Sequence, residues 1–250
     1  MFTSFSPTPI LLGMLSAIAQ SACQPGKKNS GSSPHEGVQV SGAMRNVMMS
    51  GDLQSTIYLD TLPDKINLYG VGPADSLSGE ILVVGGKSYV SRLVNDTSMR
   101  VEETFQVGAP FFVYAHINDW QEAGFPDSVR TLAQLESYLN ESAGDTAQPF
   151  VFRLLGQVKK ASIHVVNLPK GTIVRSREDA HLGKRTFLLR NEDVQIIGFY
   201  SQKHMGIFTH HDSNIHMHLI TNDRKWMGHI DGLDLQCPVE LYVGKMVLQN

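Results

Sequence analysis

The chain reads as an α+β protein dominated by antiparallel sheet. Three observations predict this. Apolar runs of strand length recur from Ser55 to Val247, punctuated by Gly, Pro, Asn and Asp. One segment, Thr131 to Glu141, carries a clear helical period. Two histidines at strand spacing, His216 and His218, precede a turn and a third histidine, His229. With 250 residues, 42% of them hydrophobic, the chain can bury a sizeable core. The expected organisation is a signal segment over 1–22, a linker over 23–39, an N-terminal α/β subdomain over 40–145 and a C-terminal β subdomain over 146–250. The first subdomain would hold a mixed or antiparallel sheet. The second would be a curled antiparallel sheet or barrel carrying a metal site.

Residues Ile10 to Ala19 form an apolar run. It is shorter than the ~20 residues that span a bilayer, and it suits the core of a signal peptide. Ala17-Ile18-Ala19 is a small-x-small cleavage pattern, although no Lys or Arg precedes the run. Two processing outcomes follow: cleavage after Ala19, or cleavage before Cys23 with a lipid anchor on that cysteine. Gln20-Ser21-Ala22 lacks the aliphatic residue usual for the second. Export is the expectation, to the periplasm, to the medium or onto a membrane by lipid. The alternative is a retained apolar tail on a cytoplasmic protein. Residues 24–39 have the composition of a flexible linker.

Ser41 to Leu53 is ambiguous, with Met44, Val47 and Met48 at helical spacing. Ser55 to Leu59 reads as extended, and Leu68 to Gly79 as a loop broken by Gly and Pro. Glu80 opens a hairpin: Ile81 to Val84, then Gly85-Gly86, then Ser88 to Val94. Phe111 to Ile117 is another apolar run. Thr131 and Gln134 form a capping box, and Leu132, Leu135 and Leu139 share one helical face. A subdomain boundary is expected in 142–148. Strands then follow at Phe150 to Leu155, Ser162 to Leu168, Thr186 to Leu189, Val194 to Tyr200 and Val239 to Val247, with the histidine hairpin among them.

The formal charge is −3 and no basic block exists, so nothing suggests nucleic acid or an anionic membrane surface. Two cysteines, Cys23 and Cys237, are no disulfide framework. Cys237 reads as a small, semi-buried residue.

The histidines carry the chemistry. On a strand His216 and His218 point to one face and Met217 to the other. A turn over Asn222 to Lys225 with an even loop sets residue 221 against 226 and His218 against His229. All three imidazoles then converge. Three imidazoles with one open position describe a catalytic zinc site, and an open zinc is a Lewis acid. A cupin site would need a carboxylate shortly after His-x-His, where this chain has Thr221 and Asn222. His210 and His211, just upstream, could be hydrogen-bond donors to the metal-ligating residues, but as adjacent residues on an irregular segment they read as solvated surface.

The segment Tyr69-Gly-Val-Gly-Pro-Ala-Asp-Ser-Leu-Ser-Gly-Glu80 resembles the YGxGPxxxLxGE block of bacterial acetolactate decarboxylases. His216-Met-His218 with Gly228-His229 resembles the zinc block of the same family, with the same spacing to the third histidine. The resemblance covers roughly residues 50 to 245. It implies a zinc enzyme that converts 2-acetolactate, an α-hydroxy-β-keto acid, to acetoin and carbon dioxide. It maps the metal ligands onto His216, His218 and His229, and the catalytic glutamate onto Glu80. It also implies a homodimer formed by sheet extension. Without it, Glu80 would read as a solvated glutamate at a strand start.

Two departures stand out. Where the family places an arginine for the substrate carboxylate, this chain has His164, either a hydrogen-bond donor to substrate or a half-buried sheet histidine. The family's second glutamate, in a C-terminal tail, has no counterpart here: Glu240 is the sole carboxylate after Val239 and is not equated with it. Alternatives to the decarboxylase are a relative acting on another α-hydroxy-β-keto acid, a non-catalytic metal-binding module of related fold, and a zinc hydrolase. No base-and-nucleophile arrangement supports the last.

Overall fold

Strand alternation in two sheets aims the chemistry of this protein into the space between them. A computed structural model describes residues 1–2, 37–143 and 148–245. Contacts divide the chain into residues 1–32 and a second unit, 33–250, which holds every element named below. The expected signal segment, Cys23 and most of the expected linker lie outside the described residues. No helix among the described residues is long and apolar enough to cross a membrane.

In chain order the first half runs β1 (Gln39–Ser41), α1 (Met44–Ser50), β2 (Ile57–Tyr58), β3 (Leu68–Pro73), β4 (Glu80–Val84), β5 (Lys87–Asn95), β6 (Ser98–Glu103), β7 (Gly108–Ala109), β8 (Phe112–His116), β9 (Trp120–Ala123) and α2 (Leu132–Ala143). The second half runs β10 (Phe150–Val165), α3 (Arg177–Ala180), β11 (Arg185–Tyr200), β12 (Ile215–Thr221) and β13 (Met227–Gly244). The fold is α+β, as expected. The first sheet is antiparallel, in the order β1-β8-β3-β4-β5-β6. In the second, β10-β11-β12-β13 closes on itself through a β10–β13 pairing, and β9 adds to β13. This is the expected curled sheet. β9 precedes α2 in sequence yet pairs with the second sheet.

Local signals placed several elements well. The Gly85-Gly86 hairpin is β4 and β5, with both glycines at positive φ. The capping box at α2 forms: Gln134 N donates to Thr131 Oγ1 at 3.3 Å, and Thr131 N donates to Gln134 Oε1 at 3.0 Å. Leu135 and Leu139 pack into the barrel core.

The stretch from Leu68 is corrected. It is not a loop at its start but β3, buried at every residue. Its glycines permit close packing rather than a turn. A Cβ on Gly70 would lie 2.5 Å from the Phe112 ring, so only a residue without a side chain lets that ring cross the strand. The short strands expected after residue 150 are also longer. Phe150 to Val165 is one strand, as is Arg185 to Tyr200. Register shifts along β10 let the ladder bend without ending, so its polar middle, with Lys159 and Lys160 exposed, mimicked a break.

Alternation then decides what faces what. On β4, Ile81 and Val83 join a core on the outer side of the first sheet, while Leu82 packs between the sheets with Ile197, Phe199 and Ile220. On β12, Ile215, Met217 and Leu219 fill the barrel, while Ile220 faces the first sheet. Glu80 has the parity of Leu82, and His216 and His218 that of Ile220. Burying each of these aliphatic side chains contributes about 1.5–3 kcal/mol, so inverting either strand would forfeit several such contributions.

Candidate metal centre and active site

The site is built by five side chains from four strands. β12 presents His216 and His218 on its inter-sheet face. The hairpin to β13 has the register expected from the turn: His218 is paired with His229. The turn is tied by Thr221, whose Oγ1 donates to Asp223 Oδ1 at 2.7 Å and accepts from Trp226 N at 3.2 Å. Here β13 passes from one neighbour to the other, so His229 is also the cross-strand partner of His164 on β10. Gly228 makes this crossing possible, because a Cβ there would lie 2.4 Å from the His164 carbonyl oxygen.

The candidate ligand atoms of His216, His218 and His229 all lie within 4.8 Å of one another, and all three residues are buried. Their ring centroids are 5.0 to 5.3 Å apart. Burial pushes His218 down to about 3, and pushes His216 and His229 well below the ordinary histidine range. All three are therefore neutral, the form that ligates metal. His216 Nδ1 and both ring nitrogens of His218 make no hydrogen bond of normal geometry; backbone at Phe208 and Ile81 approaches these two rings and only partly offsets the downward shift. A buried polar atom left unpaired costs about 1–3 kcal/mol. A metal ion at the convergence point would take one nitrogen from each ring, so the residues fit one. These three histidines can hold a metal ion.

Glu80 enters from the opposite sheet. Its Oε2 is 3.7 Å from His218 Nε2 and its Oε1 is 3.8 Å from His164 Nε2. It is 3% exposed, so it is not the solvated glutamate its position alone suggests. Burial raises its carboxyl well above the ordinary range, an effect that the Val166 N–H, donating at 3.2 Å, opposes and the Asp231 charge reinforces. His164 is also buried, which lowers its proton affinity, while its Nδ1 is hydrogen-bonded to Asp231 Oδ1 at 2.8 Å. Burial thus shifts both members of the pair toward their uncharged forms, the carboxyl upward and the imidazole downward.

The structure brings all five predicted residues together. It also adds three. His210 does not lie on the solvated surface: its Nε2 is 3.0 Å from His229 Nε2, one nitrogen donating and the other accepting. Nothing in its sequence spacing signals this, because it sits on the loop between β11 and β12. His181 packs edge-on to His164, with ring centroids 6.1 Å apart, and burial together with the Lys184 charge lowers it to about 4. Asp231, which orients His164, follows His229 by one intervening residue and sits where the β10–β13 register shifts. A cavity of about 180 Å³ opens onto Glu80, His164, His216 and His229, walled on its apolar side by Met44, Met48 and Phe111.

The model of the alpha-acetolactate decarboxylase family matches residues 39–247. The chain belongs to the alpha-acetolactate decarboxylase family. No curated protein sequence matches it. Solved structures in the family's mould share its fold. An acetolactate decarboxylase of Bacillus subtilis strain 168 is 20% identical, with a TM-score of 0.66 over 84% of this chain and 86% of that one. The enzyme from Bacillus subtilis subspecies spizizenii gives 20%, 0.67, 84% and 86%. A Staphylococcus aureus protein described as similar to alpha-acetolactate decarboxylase, its function unknown, gives 13%, 0.67, 84% and 85%. The alpha-acetolactate decarboxylase fold thus accounts for the two-sheet arrangement, and the site described above lies within the matched residues.

Proposed function

We propose that this protein is a zinc-dependent decarboxylase that converts 2-acetolactate to acetoin and carbon dioxide. The observation that carries the reading is the position of Glu80, buried and within 4 Å of both His218 and His164.

The reaction breaks the bond between C2 and the carboxylate. The electron pair of that bond passes toward the neighbouring ketone, carbon dioxide leaves, and C2 takes up one proton. Zinc bound by His216, His218 and His229 would supply a Lewis acid for the developing oxygen charge. Glu80 supplies the proton: burial raises its proton affinity well above that of an ordinary carboxylate, in the direction a general acid needs. His164, oriented by Asp231, sits against the same carboxyl and fixes which face of C2 the proton reaches. The apolar wall excludes water that would otherwise compete for the carbanionic centre.

Incubating the purified, zinc-loaded protein with racemic acetolactate tests the reading. Carbon dioxide release and acetoin formation are expected, with about one zinc per chain. One observation favours a second reading, a non-catalytic metal-binding module: His164 stands where the resemblance expects an arginine. Zinc bound without turnover would select it. Export directed by residues 10–19 belongs to the proposal too, and recovery of processed protein outside the cytoplasm tests it.

A further inference from the structure

The cavity that opens onto Glu80 is capped by two short helices in mutual contact, α1 and α3. Each contributes one arginine to its lining, Arg45 and Arg177. α1 is fastened over the site by backbone bonds from Met44 N to Ile207 O and from Arg45 N to Gly206 O, both 2.8 Å. α3 starts at a capped turn, with Asp179 N donating to Ser176 Oγ at 3.2 Å, which places Arg177 at its first position. The Arg177 Nη1 donates to His211 Nε2 at 2.6 Å, and His211 Nδ1 is 3.4 Å from Asp212. The guanidinium is therefore oriented at the rim by a histidine that is itself oriented. The acidic neighbour that feels the Arg177 charge is Glu178, the next residue of α3, which is fully exposed rather than in the cavity lining.

The inner end of the cavity has the opposite character. His164 is flanked by two carboxyl groups, Asp231 at 2.8 Å and Glu80 at 3.8 Å. A substrate carboxylate placed there would meet the charge of Asp231, which already shares a hydrogen bond with His164 Nδ1 and lies 4.0 Å from Lys184 Nζ. The permanent cations of this cavity are at the rim, and a guanidinium matches a carboxylate with two parallel N–H donors.

We propose that Arg177, oriented by His211 and assisted by Arg45, reads the substrate carboxylate and makes this site selective for α-hydroxy-β-keto acids over uncharged hydroxyketones of the same skeleton. The inference rests on the decarboxylase reading for the substrate's identity, but the anion site stands on its own geometry. The substrate lies with its carboxylate toward α3 and its ketone toward the histidines, and its alkyl groups pack on Met44, Met48 and Phe111. Carbon dioxide loss removes the group that Arg177 holds, so the uncharged product is released.

The test measures both equilibrium binding and kinetics on the zinc-loaded full chain. Calorimetry with 2,3-dihydroxy-2-methylbutanoate, an unreactive acid of the same skeleton, is compared with acetoin. R177A is expected to weaken acid binding ~10–100-fold while acetoin binding holds, and R177K to recover part of the loss. H211A and R45A should show smaller losses of the same kind, with circular dichroism confirming the fold. With acetolactate the loss should fall mainly on KM, as expected for a contact made equally in ground and transition states. Acid binding unchanged in both R177A and R45A, or acid and acetoin weakened alike, overturns the proposal, as does a wild-type protein that does not bind the acid. Arginine-dependent acid binding in a protein without turnover would uphold this site and sink the decarboxylase reading. Turnover with arginine-independent binding would do the reverse.

Discussion

Glu80 and His218 meet across the gap between the two sheets, with Oε2 and Nε2 3.7 Å apart. Each reaches the gap by the two-residue period of its own strand, one from β4 and one from β12. The contact puts a buried carboxyl group next to a candidate metal ligand, each brought in by its own chain segment.

Replacing Glu80 by Gln keeps the shape and removes the transferable proton. Turnover of acetolactate should fall by about 10²–10⁴-fold, the usual contribution of a positioned general acid. Metal content should stay at the wild-type level. Elemental analysis beside an acetoin assay reads both, and full activity in this variant would remove Glu80 from the mechanism.

Removing a ligand should act differently. His218→Ala and His229→Ala each leave two imidazoles, too few for tight zinc. Metal content measured after dialysis should drop from about one per chain toward zero, and activity with it. His210→Ala should retain the metal, since His210 lies beside His229 and outside the converging three. Retention of zinc by His229→Ala would break the assignment of ligands.

Gly228→Ala tests the crossing of β13. The added Cβ would sit 2.4 Å from the His164 carbonyl oxygen, and backbone there must shift. A destabilisation of about 1–3 kcal/mol in urea unfolding is expected, typical of overpacking. Activity should fall further than stability alone explains, because the same shift moves His164 away from Glu80. An unfolding midpoint and activity both at wild-type values would show that the strands do not approach this closely.

Stability of the metal-free protein should depend on pH through two opposed groups. Burial raises the Glu80 carboxyl in the folded state above its ordinary 4.5, so its contribution is present below about 4.5 and is lost as pH rises through the folded value. Burial lowers His218 from 6.5 to about 3, so its contribution is present above 6.5 and is lost as pH falls toward 3. Metal-free Glu80→Gln should therefore match wild type near pH 4 and exceed it in melting temperature near pH 8. Equal melting curves of the two at pH 8 would contradict a buried glutamate with raised proton affinity.

Much of the site was legible because its geometry is local. His216, Met217 and His218 alternate on any strand, and the turn at Asn222 to Lys225 pairs His218 with His229 whatever the rest of the chain does. The Gly85-Gly86 hairpin and the Thr131–Gln134 cap are local in the same sense. Glu80 and His164 entered through resemblance to a family pattern. Only contacts between distant segments show that both face the histidines. The glycines of β3 illustrate the limit. Gly70 permits a turn or a close approach, and the choice is made by Phe112, a residue from another strand.

His210 marks the boundary most sharply. Its neighbour His211 is exposed and bound to Arg177, while His210 lies against His229. No period governs a loop, so nothing along the chain separates the two. Sequence by itself determined the strand period, the turn and hence the three-imidazole cluster, since each depends on bonds between near neighbours. Tertiary structure alone decided that Glu80 is buried with its proton affinity raised, that β10 closes onto β13, and that two arginines overhang the cavity, because burial and electrostatics arise only when remote strands pack.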